Sequence, residues 1–192
     1  MQETTQLTDI TINLVGNIRD IYLDKNLDLK NVTINGNNSK ANNITISEYT
    51  SNGLDPTDEK YENITINGIV EVRNFTLSTG GNQSKIVNCN DLVSINDYLY
   101  LATSGSVSFN KLKYINSVEK NYDSYSQLFG NFSVLNLPEL KEFYNLNIEI
   151  KCEHIFLPKL ESFNICYANY TASFITFKMP SLISFKDFYL TN

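Results

Sequence analysis

With 192 residues and 15 Lys and Arg against 21 Asp and Glu, the chain can bury one substantial core and carries a formal charge of −6. That charge excludes a general attraction to nucleic-acid phosphates or anionic lipid. The 27 Asn, 17 Ser and 15 Thr, with only four Ala, disfavour helices and favour half-exposed strands.

In chain order, Met1 to Gln6 is polar and acidic and lacks the basic start and apolar stretch of a secretory signal. Short segments of one vocabulary follow: KNVTING (Lys30 to Gly36), NNITISE (Asn42 to Glu48), ENITING (Glu62 to Gly68) and RNFTLST (Arg73 to Thr79). In each, the residues after Asn alternate apolar, Thr, apolar, so the apolar pair faces a core while Asn and Thr face water. Asn35-Gly36 and Asn67-Gly68 supply turns that need positive φ, and Asn52 to Lys60 reads as a protruding polar loop.

From Cys89 onward one seven-residue anchor recurs: an apolar residue, Pro or Asn, any residue, Leu, two residues, then Ile or Phe. It occurs as CNDLVSI (Cys89 to Ile95), FNKLKYI (Phe109 to Ile115), LPELKEF (Leu137 to Phe143), LPKLESF (Leu157 to Phe163) and MPSLISF (Met179 to Phe185). The starts differ by 20, 28, 20 and 22 residues, and the long step contains an inserted loop near residues 116–127. An alternating strand precedes each anchor and a second follows most of them, as in Tyr98 to Leu101, Leu146 to Ile150 and Phe188 to Leu190. A unit of two strands and a corner cannot bury its apolar side alone, so neighbours must stack with parallel strands. An antiparallel sandwich gives no reason for one anchor to recur at this period. The expectation is an all-β parallel solenoid with few or no helices and coils of about 20 to 22 residues. It forms a single repeat array over 1–192, with irregular coils in 1–84 and regular coils in 85–192.

The anchors, each followed by a short strand, resemble the receptor L-type leucine-rich repeats of fungal cell-wall glycoproteins, a family with wall-organisation and sporulation-specific members. The likeness is convincing from Lys85 to Asn192 and one of style before Ser84. It implies a right-handed solenoid, export to the cell wall or surface, heavy N-glycosylation and, in many members, a glycosylphosphatidylinositol anchor. A secretion signal and a Ser/Thr-rich stalk are family features that these residues do not contain. Because the last residues run straight out of a strand-like segment, the expectation is a piece of a larger protein; taken alone, the chain would read as cytoplasmic.

Eight Asn-x-Ser/Thr sequons, at Asn31, Asn37, Asn43, Asn63, Asn74, Asn82, Asn131 and Asn169, are nearly twice the number that chance gives this composition. They are N-glycosylation candidates, although Asn-apolar-Thr-apolar is also what a half-exposed strand looks like in an Asn-rich chain. Tyrosines concentrate in the second half; alternation puts Tyr98 and Tyr100 on one face, and with Tyr167 and Tyr170 they form a candidate surface for a cell-wall polysaccharide or surface protein. The alternative use of these rings is core filling.

The sequence offers no catalytic, cofactor or metal constellation, and no run approaches the ~20 apolar residues of a membrane-spanning helix. Asp20, Asp24 and Asp28 read as a solvated edge, Asp55, Asp58 and Glu59 as loop acids, and His154 as a structural or surface histidine. Thr79-Gly80-Gly81-Asn82 lacks a phosphate-loop Lys and reads as a turn. Cys89, Cys152 and Cys166 form no CxxC pair and are expected as buried thiols. The functional expectation is a non-enzymatic recognition module of an exported wall glycoprotein. The rivals are an intracellular protein-binding repeat and a β-helix enzyme acting on polysaccharide, which would need two converging carboxylates.

Overall fold

A computed structural model describes residues 7–23, 29–47, 61–79, 85–116, 125–151, 154–169 and 176–191. Among them there is no helix, and every strand pairing is parallel: the protein is an all-β parallel solenoid. With no helix, no described helical segment is long and apolar enough to cross a membrane.

Three strips of pairing run along the stack. The first face joins β1 (Asp9–Asn13), the opening halves of β3 (Asn31–Ser47) and β4 (Asn63–Ser78), β5 (Lys85–Cys89), β7 (Gly105–Phe109) and the end of β9 (Ser126–Asn136). A corner follows, and then two residues of each coil pair in a narrow strip: Ser94-Ile95 of β6 (Ser94–Ala102), β8 (Tyr114–Ile115), and the starts of β10 (Glu142–Lys151), β12 (Ser162–Asn169) and β14 (Ser184–Thr191). The remainder of those long strands, with β2 (Ile18–Leu23) and the first half of β9, makes the second face. β11 (His154–Phe156) and β13 (Thr176–Lys178) continue the stack as a separate two-stranded pair.

Alternation within each strand turns one ladder inward for every ladder outward. Val32, Ile64, Val87 and Val107 stack on the first face, and Ile46, Leu77, Leu101, Leu128 and Ile148 on the second; all are buried. The anchors turn the corner between them. Leu92, Leu112, Leu140 and Leu160 are buried, as are Ile95, Ile115, Phe143 and Phe163. Only the last anchor differs: Leu182 is partly buried and Phe185 is 56% exposed, because no described strand pairs beyond β14. Phe143 stacks on Phe163 (5.0 Å, 9°) and Phe163 on Phe185 (5.3 Å, 21°), so these rings form a column along the axis.

The first half stays in register along each face in spite of unequal coil lengths, with shifts confined to the corner between Asn35 and Lys40 and to Val72–Asn74. Asn31 of β3 lies beside Asn63 of β4, 32 residues on, whereas Asp9 lies beside Asn31 after 22. Its corner carries an anchor without Leu: Ile66, Ile69 and Val72 align with the Cys89 coil and are fully buried. Of the two Asn-Gly turns, Gly68 has the expected positive φ of 63°, but in the preceding coil the positive φ falls at Asn38 (52°) and not at Gly36. Gly36 is held to glycine by proximity, since a side-chain carbon there would lie 2.7 Å from the Gly68 carbonyl oxygen.

Two of the three cysteines, Cys89 and Cys166, are buried free thiols, and burial pushes the thiol of Cys166 up to about 12 and that of Cys89 higher still. Cys152, Tyr170, Asn82, the acidic loop at Asp55 to Glu59, Asp24, Asp28 and Gly80-Gly81 lie outside the described residues. So do 117–124 of the expected insertion and the side chains of Asn169 and His154.

Candidate functional site

Outward side chains at one position of every coil also meet in register, and two kinds of site result. The first is amide. Asn110 donates its Nδ2 to Asn90 Oδ1 (2.8 Å), Asn90 to Asn67 (2.8 Å), Asn67 to Asn35 (3.0 Å) and Asn35 to Asn13 (3.0 Å), a continuous row along the rim of the first face. A second row runs Asn63 to Asn31 (2.7 Å) and Asn31 to Asp9, and a third Asn74 to Asn43 (2.9 Å) and Asn43 to Asp20 (2.5 Å). Such rows form when identical amides repeat at the ~4.8 Å spacing of parallel strands, because each amide is both donor and acceptor. The bond from Asn31, reinforced by Thr8, holds the Asp9 carboxyl below its usual range.

Ion pairs between coils accompany the amides: Lys30 with Glu62 (3.0 Å), Lys40 with Glu71 (2.7 Å), Lys111 with Asp91 (2.7 Å) and Lys159 with Glu139 (2.6 Å). Asp91 also accepts the Gly68 backbone N–H at 2.9 Å, so Lys111 first and then Gly68 hold its carboxyl below the ordinary value. A depression of about 300 Å³ near Asn17, Lys40 and Arg73 is crossed by the Lys40–Glu71 pair, which leaves it electrostatically self-satisfied.

The second site is aromatic and lies on the second face. One outward ladder carries Tyr22, Thr45 and Thr76 in the early coils, then Tyr100, Gln127, Asn147, Tyr167 and Tyr189. Tyr98 and Tyr100 stack at 6.2 Å and 18°, and Tyr100 meets Phe129 edge-on at 5.8 Å. Burial, with Tyr100 adding, pushes the Tyr98 phenol up. Three coils further, Tyr167 stacks on Tyr189 at 4.7 Å and 10° and meets Tyr125 at 5.7 Å.

Beside the second of these aromatic groups runs a groove of about 490 Å³ lined by Tyr125, Gln127, Asn147, Glu149, Tyr167 and Thr191. It offers ring faces beside amide donors and acceptors and one carboxylate. No family model, curated protein or solved structure matches this chain. The geometry of the groove therefore carries the functional question.

Of the four tyrosines expected to form a surface, Tyr98, Tyr100 and Tyr167 lie on the same face, and the ladder register places Tyr100 and Tyr167 three coil steps apart. Gln127, Asn147 and Glu149 were not foreseen. Their signal is present only as an alternating strand after each anchor, and the coil offsets that bring them between the tyrosines cannot be read without the pairing. Asp20, expected as a solvated edge, ends an amide row. Among the described residues no three His, Cys, Asp or Glu side chains group to hold a metal ion.

Proposed function

We propose that this protein is a non-catalytic recognition module of an exported wall or surface glycoprotein, and that its second face binds a neutral polysaccharide. The observation that carries this is the groove in which Tyr167 and Tyr125 present ring surface beside the amides of Gln127 and Asn147. Pyranose rings have an apolar C–H face and a hydroxyl edge, and tyrosine beside amide matches both. A formal charge of −6 and Glu149 in the groove favour a neutral polymer over an acidic one. Among the described residues that line the groove Glu149 is the one carboxylate, whereas glycoside cleavage by acid and base uses two about 5 to 10 Å apart. The anchors' likeness to receptor L-type repeats supports the same reading.

The test is sedimentation of the purified protein with insoluble β-glucan, competed by soluble oligosaccharide. Wild type is expected to co-sediment, and Tyr167→Ala to bind about fivefold more weakly, in line with the loss of roughly 1 kcal/mol of aromatic contact. Binding unchanged in Tyr167→Ala and in Gln127→Ala would remove the groove from the account. Capture that soluble sugar does not compete would be adsorption outside a sugar site and would count against the reading.

A further inference from the structure

The described sequons fall into two geometric classes. Asn31 and Asn63 are adjacent rungs of one amide row, and Asn43 and Asn74 adjacent rungs of another, joined Nδ2 to Oδ1 at 2.7 and 2.9 Å. Asn37 and Asn131 are exposed and belong to no amide row. Asn37 projects where the β3–β4 register shifts, its backbone N–H donating to Ser39 Oγ (3.2 Å), and Asn131 pairs in register with Lys151, so no second sequon adjoins it.

We propose that Asn37 and Asn131 are the glycan-bearing positions among the described side chains, and that Asn31 with Asn63, and Asn43 with Asn74, are mutually exclusive as glycan acceptors in the folded protein. The inference rests on the export reading above. In N-glycosylation the bond from Nδ2 to the sugar C1 forms as the C1–O bond to a lipid-pyrophosphate donor breaks, and the amide gives up one proton. The modified atom is the one that donates along each row. Rungs of a row stand about 4.8 Å apart. A branched oligosaccharide is wider than that step, so glycans on both rungs would overlap, and the coils could not close to pairing distance. A glycan on Asn37 or Asn131 projects into solvent with no sequon beside it in register.

The experiment fuses the full chain to a secretion leader in a yeast host and trims the secreted protein so that each occupied Asn keeps one N-acetylglucosamine. Peptide mass spectrometry then gives fractional occupancy per site. High occupancy at Asn37 and Asn131, with summed occupancy no greater than one in each ladder pair, is expected. Bare Asn37 and Asn131, or a sum above one in either pair, would overturn the proposal. Because the leader delivers the chain to the glycosylation machinery wherever the native protein resides, this result is separate from the export reading. Locating the native protein tests the latter.

Discussion

The early and late coils keep the same register with different chemistry. In β1 to β4 the repeated outward groups are amides and the inward ones, Phe75 apart, aliphatic, so each coil is tied to the next by directional hydrogen bonds over a mainly aliphatic core. In β10 to β14 the repeated groups are rings, Phe143 on Phe163 on Phe185 within and Tyr167 on Tyr189 without. Amides in a row satisfy one another, which makes that surface structurally committed. Stacked rings make no such chain of donors and acceptors, and on the reading proposed above it is this surface that meets a ligand.

The comparison breaks most severely at the aromatic column. Phe163→Ala removes a nearly buried ring held between two others, and a loss of about 3 to 5 kcal/mol is expected in urea unfolding. A smaller cost is expected in the amide row. Asn67→Ala cuts one bond given and one received, about 1 to 3 kcal/mol, whereas Asn110→Ala removes the single bond given to Asn90 and should cost roughly half as much. Equal costs for the two would mean that the row does not act bond by bond.

Acid should weaken the ties between coils through their carboxylates. Lys40 chiefly holds Glu71 below its ordinary 4.5, and Lys111 holds Asp91 below 3.8. With folded values depressed, their contribution is complete above the unfolded values and fades as pH falls through the lower folded ones. The urea midpoint should therefore drop as pH is lowered below about 4, and Lys40→Met should reduce that slope; a midpoint flat from pH 5 to 2 would contradict it. The smallest effect is chemical. Cys89 and Cys166 should resist a thiol reagent in native protein at neutral pH and react only on unfolding, as peptide-level labelling would show.

How much of this was legible follows from where the period is visible. Beyond Cys89 the anchor Leu residues recur at 20 to 28 residues, so strands and corners could be placed from sequence. Before it, Ile66, Ile69 and Val72 fill the same corner without Leu, so the anchor pattern misses them, and the 32-residue step from Asn31 to Asn63 breaks the period further up the chain. Alternation shows that Asn31, Asn43, Asn63 and Asn74 face outward. It cannot show that they meet, because meeting depends on register between coils of unequal length. The same limit applies to the groove: Tyr167 could be chosen for its type, while Gln127 and Asn147 acquire their role only from offsets of 27 and 20 residues along the ladder.

Every amide–amide and amide–carboxylate bond in the three rows is donated toward the earlier coil, from Asn110 down to Asn13, from Asn63 to Asp9 and from Asn74 to Asp20. Their dipoles add and polarise one another along the axis. The solenoid surface thus has a head and a tail independent of its outline. A linear polymer with a reducing and a non-reducing end, laid along that axis, meets a different electrostatic environment in each orientation, so the surface can favour one direction of threading over the other.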